Sequence, residues 1–239
     1  GVCGEVKRIA IIPARGGSKR IPRKNIRAFL GKPIMAYSIE AALESGLFEQ
    51  VMVSTDDEEI AEVARRHGAG VPFLRSTAAS DDFATTAAVL TEVLRAYEAS
   101  GETYDYGCCI YPTAPLVKTA SIRAAFALLT AQQRDSVFPV LRYSYPIWRS
   151  LRMEGGRAVM NWPEHLGSRS QDLPAAFHDA GQFYWFAVKR FLEKQALFTD
   201  NTGAIELSEL EVQDIDNLTD WKLAEMKYRL MQQEGHRER

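Results

Sequence analysis

Between Glu5 and Glu40 the chain has no acidic residue. No stretch of apolar residues approaches the length of a membrane-spanning helix, and no signal-peptide pattern opens the sequence, so a cytoplasmic protein without membrane partners is expected. Cysteine is scarce: Cys3, Cys108 and Cys109 are an odd number without metal-ligand spacing, which excludes a disulfide framework or a zinc site read from sequence. The adjacent pair Cys108-Cys109 is expected on a strand, one thiol to each face, buried and reduced. Internal repeats and low-complexity tracts are absent, which excludes solenoids and linkers. The net charge of −2 argues against a nucleic-acid partner. Two phosphate motifs are missing as well. There is no Gly-x-Gly-x-x-Gly, and Gly17-Ser18-Lys19 lacks the frame of a Walker A loop.

What is present follows from that acid-free stretch. From Lys7 to Lys32 it holds nine Lys or Arg, leaving −11 for the rest of the chain. Within it, residues 9–25 read Ile-Ala-Ile-Ile-Pro-Ala-Arg-Gly-Gly-Ser-Lys-Arg-Ile-Pro-Arg-Lys-Asn, a buried-type strand running into a glycine turn among cations. One reading is a solvated basic loop. The other is a polyanion site, in which backbone N–H groups of Gly16, Gly17 and Ser18 approach phosphate oxygens. Arg15, Lys19, Arg20, Arg23 and Lys24 then surround them, a bidentate arginine and a point-charge lysine suiting a triphosphate.

At 239 residues and 46% hydrophobic, the chain can build one substantial core. Strand and helix patterns alternate: a strand over 8–13, a helix from Lys32-Pro33 to Ser45-Gly46, a strand over 51–55, and a helix capped by Asp56 and running to Arg66. Asp56-Asp57 is read as that cap rather than as catalytic. An extended piece at 71–74, a helix over 85–99, a strand over 106–111, a helix over 119–131 and a strand over 136–140 follow. The pattern implies βαβ units and an α/β fold with a mostly parallel sheet covered on both faces. Ligands then bind beyond the carboxyl ends of the strands, where the loops after Pro13, Thr55 and Tyr111 meet.

Residues 142–176 break the alternation with Arg, Pro, Trp and Tyr, and 153–157 read as a hairpin turn. This segment is expected to be an inserted β arm and a dimer contact within a single domain spanning 1–239. Its aromatics Tyr143, Tyr145, Trp148 and Trp162 fit either sugar stacking or packing. The core resumes with a strand over 182–188, a short helix from Lys189, a strand over 204–207, the segment 212–216 and a last helix over 219–232. Asp214 and Asp216 flank Ile215, so an extended backbone turns both carboxylates the same way. Such a pair suits a divalent cation shared with a substrate phosphate, Mg²⁺ or Mn²⁺; the alternative is a helix cap.

Pro13-Ala-Arg-Gly-Gly-Ser-Lys-x-Ile-Pro-x-Lys-Asn25 resembles the nucleotide-binding signature of the CMP-sialic acid synthetase family, cytidylyltransferases that activate keto-sugar acids with CTP. Ser80-Asp-Asp-Phe-Ala-Thr-Thr86, Tyr111-Pro-Thr-Ala-Pro115, the segment 177–184 and Asp214-Ile-Asp216 agree in order and spacing. Within the family, Ser168-Arg-Ser-Gln-Asp-Leu173 and His178-Asp-Ala-Gly181 with Phe183-Tyr184 are most similar to the members acting on pseudaminic acid. The resemblance implies a Rossmann-like, doubly wound fold of the nucleotide-diphospho-sugar transferase type, a homodimer, and CTP and an acidic nine-carbon sugar as substrates. It implies Arg15 and Lys19 as phosphate ligands and catalytic residues, with Asp216. Ala14, Gly16, Gly17, Ser18, Lys24 and Asn25 would line the nucleotide, with Arg75 near the cytosine and Ser80 and Asp82 reading its edge. Tyr111, Thr113, Arg169, Gln171, His178, Asp179 and Gln182 would meet the sugar, Arg169 and Gln171 at its carboxylate, and Asp214 and Asp216 would hold the metal.

Two departures bear on the sugar. Tyr111 stands where sialic acid members have Gln, and Leu116-Val117 where an Arg follows; His178-Asp179 replace an Arg-Pro pair. A His beside an Asp is also a common structural pair. Neuraminate, legionaminate and 3-deoxy-manno-octulosonate stay as alternative substrates, and a non-catalytic nucleotide-binding subunit as the alternative class. No residue identifies itself as a general base.

Overall fold

The computed structural model describes residues 4–17, 20–76 and 85–237. Strand β1 (Arg8–Pro13) leads through a 3-10 turn at Lys24–Ile26 to the short pair β2 (Ala28–Phe29) and β3 (Lys32–Pro33), then to helix α1 (Ile34–Ser45). Strand β4 (Gln50–Ser54), helix α2 (Glu58–Arg66), helix α3 (Thr86–Ala99), strand β5 (Tyr106–Ile110), helix α4 (Thr119–Ala131) and strand β6 (Ser136–Arg142) follow. The arm contributes β7 (Leu151–Glu154) and β8 (Arg157–Met160). The chain closes with β9 (Phe177–Asp179), β10 (Phe183–Ala187), α5 (Val188–Lys194), β11 (Thr202–Leu207) and α6 (Leu218–Arg237).

The main sheet runs β11-β6-β10-β5-β1-β4, with β9 pairing to β6. β1 is parallel to β4 and β5, and β6 to β11, while β10 lies antiparallel between β5 and β6. The expected α/β architecture is therefore present, with two strands, β9 and β10, reversed. β10 returns from the arm in the opposite direction, so no crossover helix separates it from its neighbours.

Alternation along the strands divides the core into two layers. Ala10, Ile12, Cys108, Ile110, Phe183 and Trp185 pack under α1, α2 and α4. Ile9, Ile11, Cys109, Tyr184 and Phe186 pack under α3 and α5. Cys108 and Cys109 face opposite sides as expected, and burial pushes both thiols up, away from reactivity. Gly107 is required where the Phe186 ring crosses its strand: a Cβ there would lie 2.3 Å from the ring.

A third, smaller core matters most for the site. Ile21 from the opening loop, Phe29 from β2, Tyr37 from α1, Ile215, and Trp221 from α6 are buried together. Phe29 sits edge-on to Tyr37, Trp221 and Tyr228 at 5.3, 5.6 and 5.9 Å. This cluster joins the start of the chain to its end, close to the two carboxylates.

Several boundaries differ from expectation, each for a local reason. Lys32-Pro33 pair with β2 across a turn at Leu30-Gly31, both at positive φ, so α1 begins one residue later. Asp57, not Asp56, caps α2, accepting the Ile60 N–H at 3.0 Å. The piece at 71–74 forms no strand, and only Gly70 bridges to Met52. β9 went unread because its three residues show no alternation. The hairpin of β7 and β8 turns on Gly155-Gly156, both at positive φ, where the sequence placed it. Among the described residues, no helix is long and apolar enough to cross a membrane.

Candidate active site

The carboxyl ends of β1 and β5 open into a cleft of about 600 Å³. Arg15, Gly17, Arg20, Lys24, Asn25, Arg75, Tyr111, Thr113 and Asp216 all line it. Residues from the first and last quarters of the chain thus share one cavity. The first turn of α3 borders it through Thr86 and Val89, bringing the positive end of a helix dipole to the anion side. Ser18, Lys19, Ser80 and Asp82, all expected here, lie outside the described residues.

Fewer cations reach the cleft than their density in sequence implied. Lys32 pairs with Glu40 at 2.5 Å, Arg8 with Glu49 at 3.7 Å, and Arg27 stacks over Trp221. Arg23 is a bidentate partner of Asp57 at 2.7 and 2.9 Å. Arg15, Arg20 and Lys24 remain as the described lining cations from that stretch. Lys24 Nζ also donates to the Ile215 carbonyl at 2.6 Å, which ties the loop to the segment between the two aspartates. Asn25 Nδ2 donates to the Arg15 carbonyl at 3.0 Å and so fixes the backbone that carries the Arg15 side chain.

Arg75 is buried, its Nε donating to Ser54 Oγ at 3.2 Å and one Nη to the Ser54 carbonyl at 2.7 Å. With those nitrogens pinned, the guanidinium is a rigid wall of the cleft. Burial lowers its proton affinity and nearby Asp56 opposes that.

Two backbone N–H groups expected at the nucleotide are engaged within the fold. Ala14 is fully buried and its N–H bonds the Ser54 carbonyl at 2.8 Å, continuing the β1–β4 ladder rather than meeting a nucleotide. The Gly16 N–H donates to Asp56 Oδ1 at 2.9 Å, so this anion-binding donor already faces a carboxylate. Gly17 does line the cleft.

At the other end, 212–216 is extended coil leading into α6. The capping alternative is excluded by the helix itself. Asn217 Oδ1 accepts the Asp220 N–H at 2.9 Å while Asp220 Oδ2 accepts those of Asp216 and Asn217, a reciprocal capping box. Ile215 is buried, so the flanking carboxylates turn outward, Asp216 into the cleft and Asp214 into a neighbouring pocket. Burial and then the Asp216 charge raise the Asp214 carboxyl above its usual range, and Lys24 offsets part of this. Among the described residues no third His, Cys, Asp or Glu completes a metal cluster.

Tyr111 separates the cleft from two further pockets. One, about 550 Å³, is lined by His178, Asp179, Gly181 and Asp214. The other, about 540 Å³, is walled by Phe138, Val140, Tyr184, Leu197 and Phe198, with Asp179 and His178 at its rim. Asp179 is held by both oxygens, Oδ1 accepting the Gly181 N–H at 2.7 Å and Oδ2 the Tyr184 hydroxyl at 2.5 Å. Gly181, at φ +69°, makes the turn that brings its N–H back. His178 Nδ1 donates to the Asp179 carbonyl at 2.9 Å, so the alternative of a structural His–carboxylate pair does not form.

Three sugar-side expectations are not met within this one chain. Gln182 is buried, its Nε2 donating to the Glu211 carbonyl at 2.6 Å, because β10 turns it beneath the pockets. Arg169 is exposed on the arm, 3.4 Å from Asp172, and Gln171 lines a separate groove there with Tyr143 and Tyr145. Trp148 and Trp162 pack on each other at 5.4 Å, the packing reading of those aromatics. Conversely, Phe138, Val140, Tyr184 and Phe198 escaped the sequence reading. Tyr184 carried a signal, a phenol on a strand otherwise made of Phe, Trp and Ala.

A family model described as cytidylyltransferase matches residues 9–161. Over 226 residues the chain is 42% identical to the pseudaminic acid cytidylyltransferase of Campylobacter jejuni, covering 94% of this chain and 97% of that one. It is 33% identical to the CMP-N,N'-diacetyllegionaminic acid synthase of Legionella pneumophila over 229 residues, 94% of this chain and 97% of the relative. A solved CMP:2-keto-3-deoxy-manno-octonic acid synthetase complexed with CTP shares the fold, with a TM-score of 0.66 at 16% identity, covering 95% of this chain and 99% of the other. With the family model matching most of its length and a relative 42% identical over nearly all of it, the chain belongs to the cytidylyltransferase family.

Proposed function

We propose that this protein transfers CMP from CTP to the anomeric hydroxyl of a nonulosonic acid, pseudaminic acid, and releases pyrophosphate. The observation that carries the reading is the single cleft shared by Arg15, Lys24, Arg75 and Asp216, opening at Tyr111 onto two sugar-sized pockets. The sugar oxygen attacks the α-phosphorus in line, the bond from that phosphorus to the bridging oxygen breaks, and the hydroxyl proton leaves to solvent. Such transfer rests on positioning and on charge neutralisation. Arg15 and Lys24 line the cleft as its triphosphate ligands, the family resemblance gives Lys19 the same role, and the pinned Arg75 orients the base. The apolar wall of Phe138, Val140 and Phe198 suits the acyl or deoxy parts of such a sugar, and Asp179 at its rim accepts an N–H or O–H.

The carboxylates fit a hard divalent cation: two residues apart and not used for capping, they repel each other, and Lys24 offsets only part of that repulsion. Asp214 and Asp216 would hold Mg²⁺ or Mn²⁺, which when bound supplies charge neutralisation at the phosphates and lowers the pKa of the attacking hydroxyl. We assign the arm to a homodimer contact. Tyr145, Met153 and Leu166 are each about 70% exposed, and Arg169 reaches no pocket of its own chain's cleft, which leaves its sugar role to a second copy. Its supply of CTP places the reaction in the cytoplasm.

Pyrophosphate release from CTP, measured with pseudaminic, legionaminic and neuraminic acids, tests the assignment. Turnover is expected with pseudaminic acid, to require Mg²⁺ or Mn²⁺, to fall at least a hundredfold in Asp216→Asn, and to come from a species sedimenting as two copies. Preferential turnover of another of these acids would overturn the sugar assignment, and CTP binding without turnover of any would favour a non-catalytic subunit.

A further inference from the structure

Arg23 looks in sequence like one more phosphate ligand, but the fold gives it a different partner. Its two Nη atoms donate to the two oxygens of Asp57 at 2.7 and 2.9 Å, and one also reaches Glu59 Oε2 at 2.9 Å. Its backbone is left-handed, φ +53°, a conformation that a residue with a Cβ adopts only at some cost, so its anchored side chain has a conformation to hold. Asp57 caps α2 through the Ile60 N–H as well. It also presses on the near end of the same loop, since a Cβ on Gly16 would lie 2.9 Å from Asp57 Oδ2. The preceding residue, Asp56, accepts the Gly16 N–H.

The loop is thus fastened at Gly16 and at Arg23 to consecutive residues at the end of β4. Gly17, Arg20 and Ile21, between those fastenings, line the cleft, as do Arg15 and Lys24 on either side. A bidentate guanidinium–carboxylate pair is the most directional ion pair available to side chains, and this one is partly shielded, with Asp57 24% exposed. Arg23 holds the Asp57 carboxyl down at about 2, so the pair stays charged at any working pH.

We infer that Asp57 is a positioning residue for the triphosphate loop, acting through Arg23, and that Arg23 is a clamp rather than a phosphate ligand. The inference rests on the cytidylyltransferase reading. It assigns the Asp56-Asp57 pair a part in nucleotide binding beyond the capping of α2.

Asp57→Asn separates the two roles, because asparagine caps a helix as well as aspartate but cannot form the charged pair. The test measures CTP affinity by calorimetry without sugar, and steady-state KM and kcat for both substrates, in Asp57→Asn, Arg23→Gln and the double variant. Each single variant should weaken CTP binding about tenfold and raise its KM alike, while kcat and the sugar KM stay within about twofold. The double variant should be no weaker than either single one, since each breaks the same clamp. Unchanged CTP affinity in Asp57→Asn, or losses that multiply in the double variant, would overturn the clamp. So would a hundredfold loss in Arg23→Gln beside a silent Asp57→Asn, which would make Arg23 a ligand. A wild-type protein that binds no CTP would overturn the cytidylyltransferase reading itself, a result separable from the others.

Discussion

The nucleotide cleft and the sugar-side pockets lie on either side of Tyr111, yet they are built in opposite ways. The cleft draws most of its polar wall from one short run, residues 15–25, and the Asp216 carboxylate from another, 214–216. The apolar sugar-side pocket is assembled from β6, β9, β10 and β11, with Thr86 of α3, Tyr111 just past β5 and the turn after α5. The cleft is held from behind by the small aromatic core around Phe29, which packs both runs at once. The sugar side hangs on the main sheet and on one hydrogen-bonded carboxylate, Asp179. A triphosphate presents the same charges in every substrate, so a contiguous cationic loop suffices. A sugar is distinguished by the shape and polarity of its substituents, which scattered side chains can match one at a time.

That contrast can be broken at its strongest point first. Phe29→Ala removes a fully buried ring and should cost about 3–5 kcal/mol of stability. For a chain of this size that is a fall in melting temperature of roughly 6–20 °C, read by calorimetry. In the protein that remains folded, CTP affinity should drop more than affinity for the sugar. A stable variant with intact CTP binding would show that the aromatic core does not hold the cleft together. Arg15→Ala comes next, and should lower kcat/KM for CTP about a hundredfold, by about 2.7 kcal/mol, by analogy with losing a donor aimed at transition-state charge. The sugar KM should be little changed, and near wild-type turnover would take the opening loop out of the chemistry.

Tyr184→Phe is the mildest of the three and addresses the other side of Tyr111. It deletes the hydroxyl that holds Asp179 and leaves the ring packed against Tyr111 at 5.2 Å. The sugar KM should rise about three- to tenfold, the cost of about one hydrogen bond, with CTP KM unchanged. A shift in the CTP KM instead would mean that the two sides are not independent.

Much of this was legible before any coordinates. The acid-free stretch, the glycine pair after a buried strand and the Asp-Ile-Asp triplet are local patterns, and each brings part of itself to the cleft: Arg15, Arg20 and Lys24, then Gly17, then Asp216. The alternation of Cys108 and Cys109 and the Gly155-Gly156 turn were legible because period and turn chemistry are properties of neighbouring residues. Charge, by contrast, misled. Arg23 is indistinguishable in sequence from Arg15, and only the approach of α2 places Asp57 against one and not the other. Gln182 and Arg169 likewise lie away from their own chain's pockets, because a polar residue beside a motif declares its type but not its direction.

The sequence by itself determined the α/β class, the cationic glycine loop and the carboxylate pair, because those depend on spacing within a few residues. Tertiary structure alone decided that β10 runs antiparallel, that Asp57 neutralises Arg23, and that Phe138, Val140 and Phe198 close around one pocket. Each of these is a pairing between segments far apart in the chain, governed by how buried surfaces and charges meet across the sheet, and no local pattern records it.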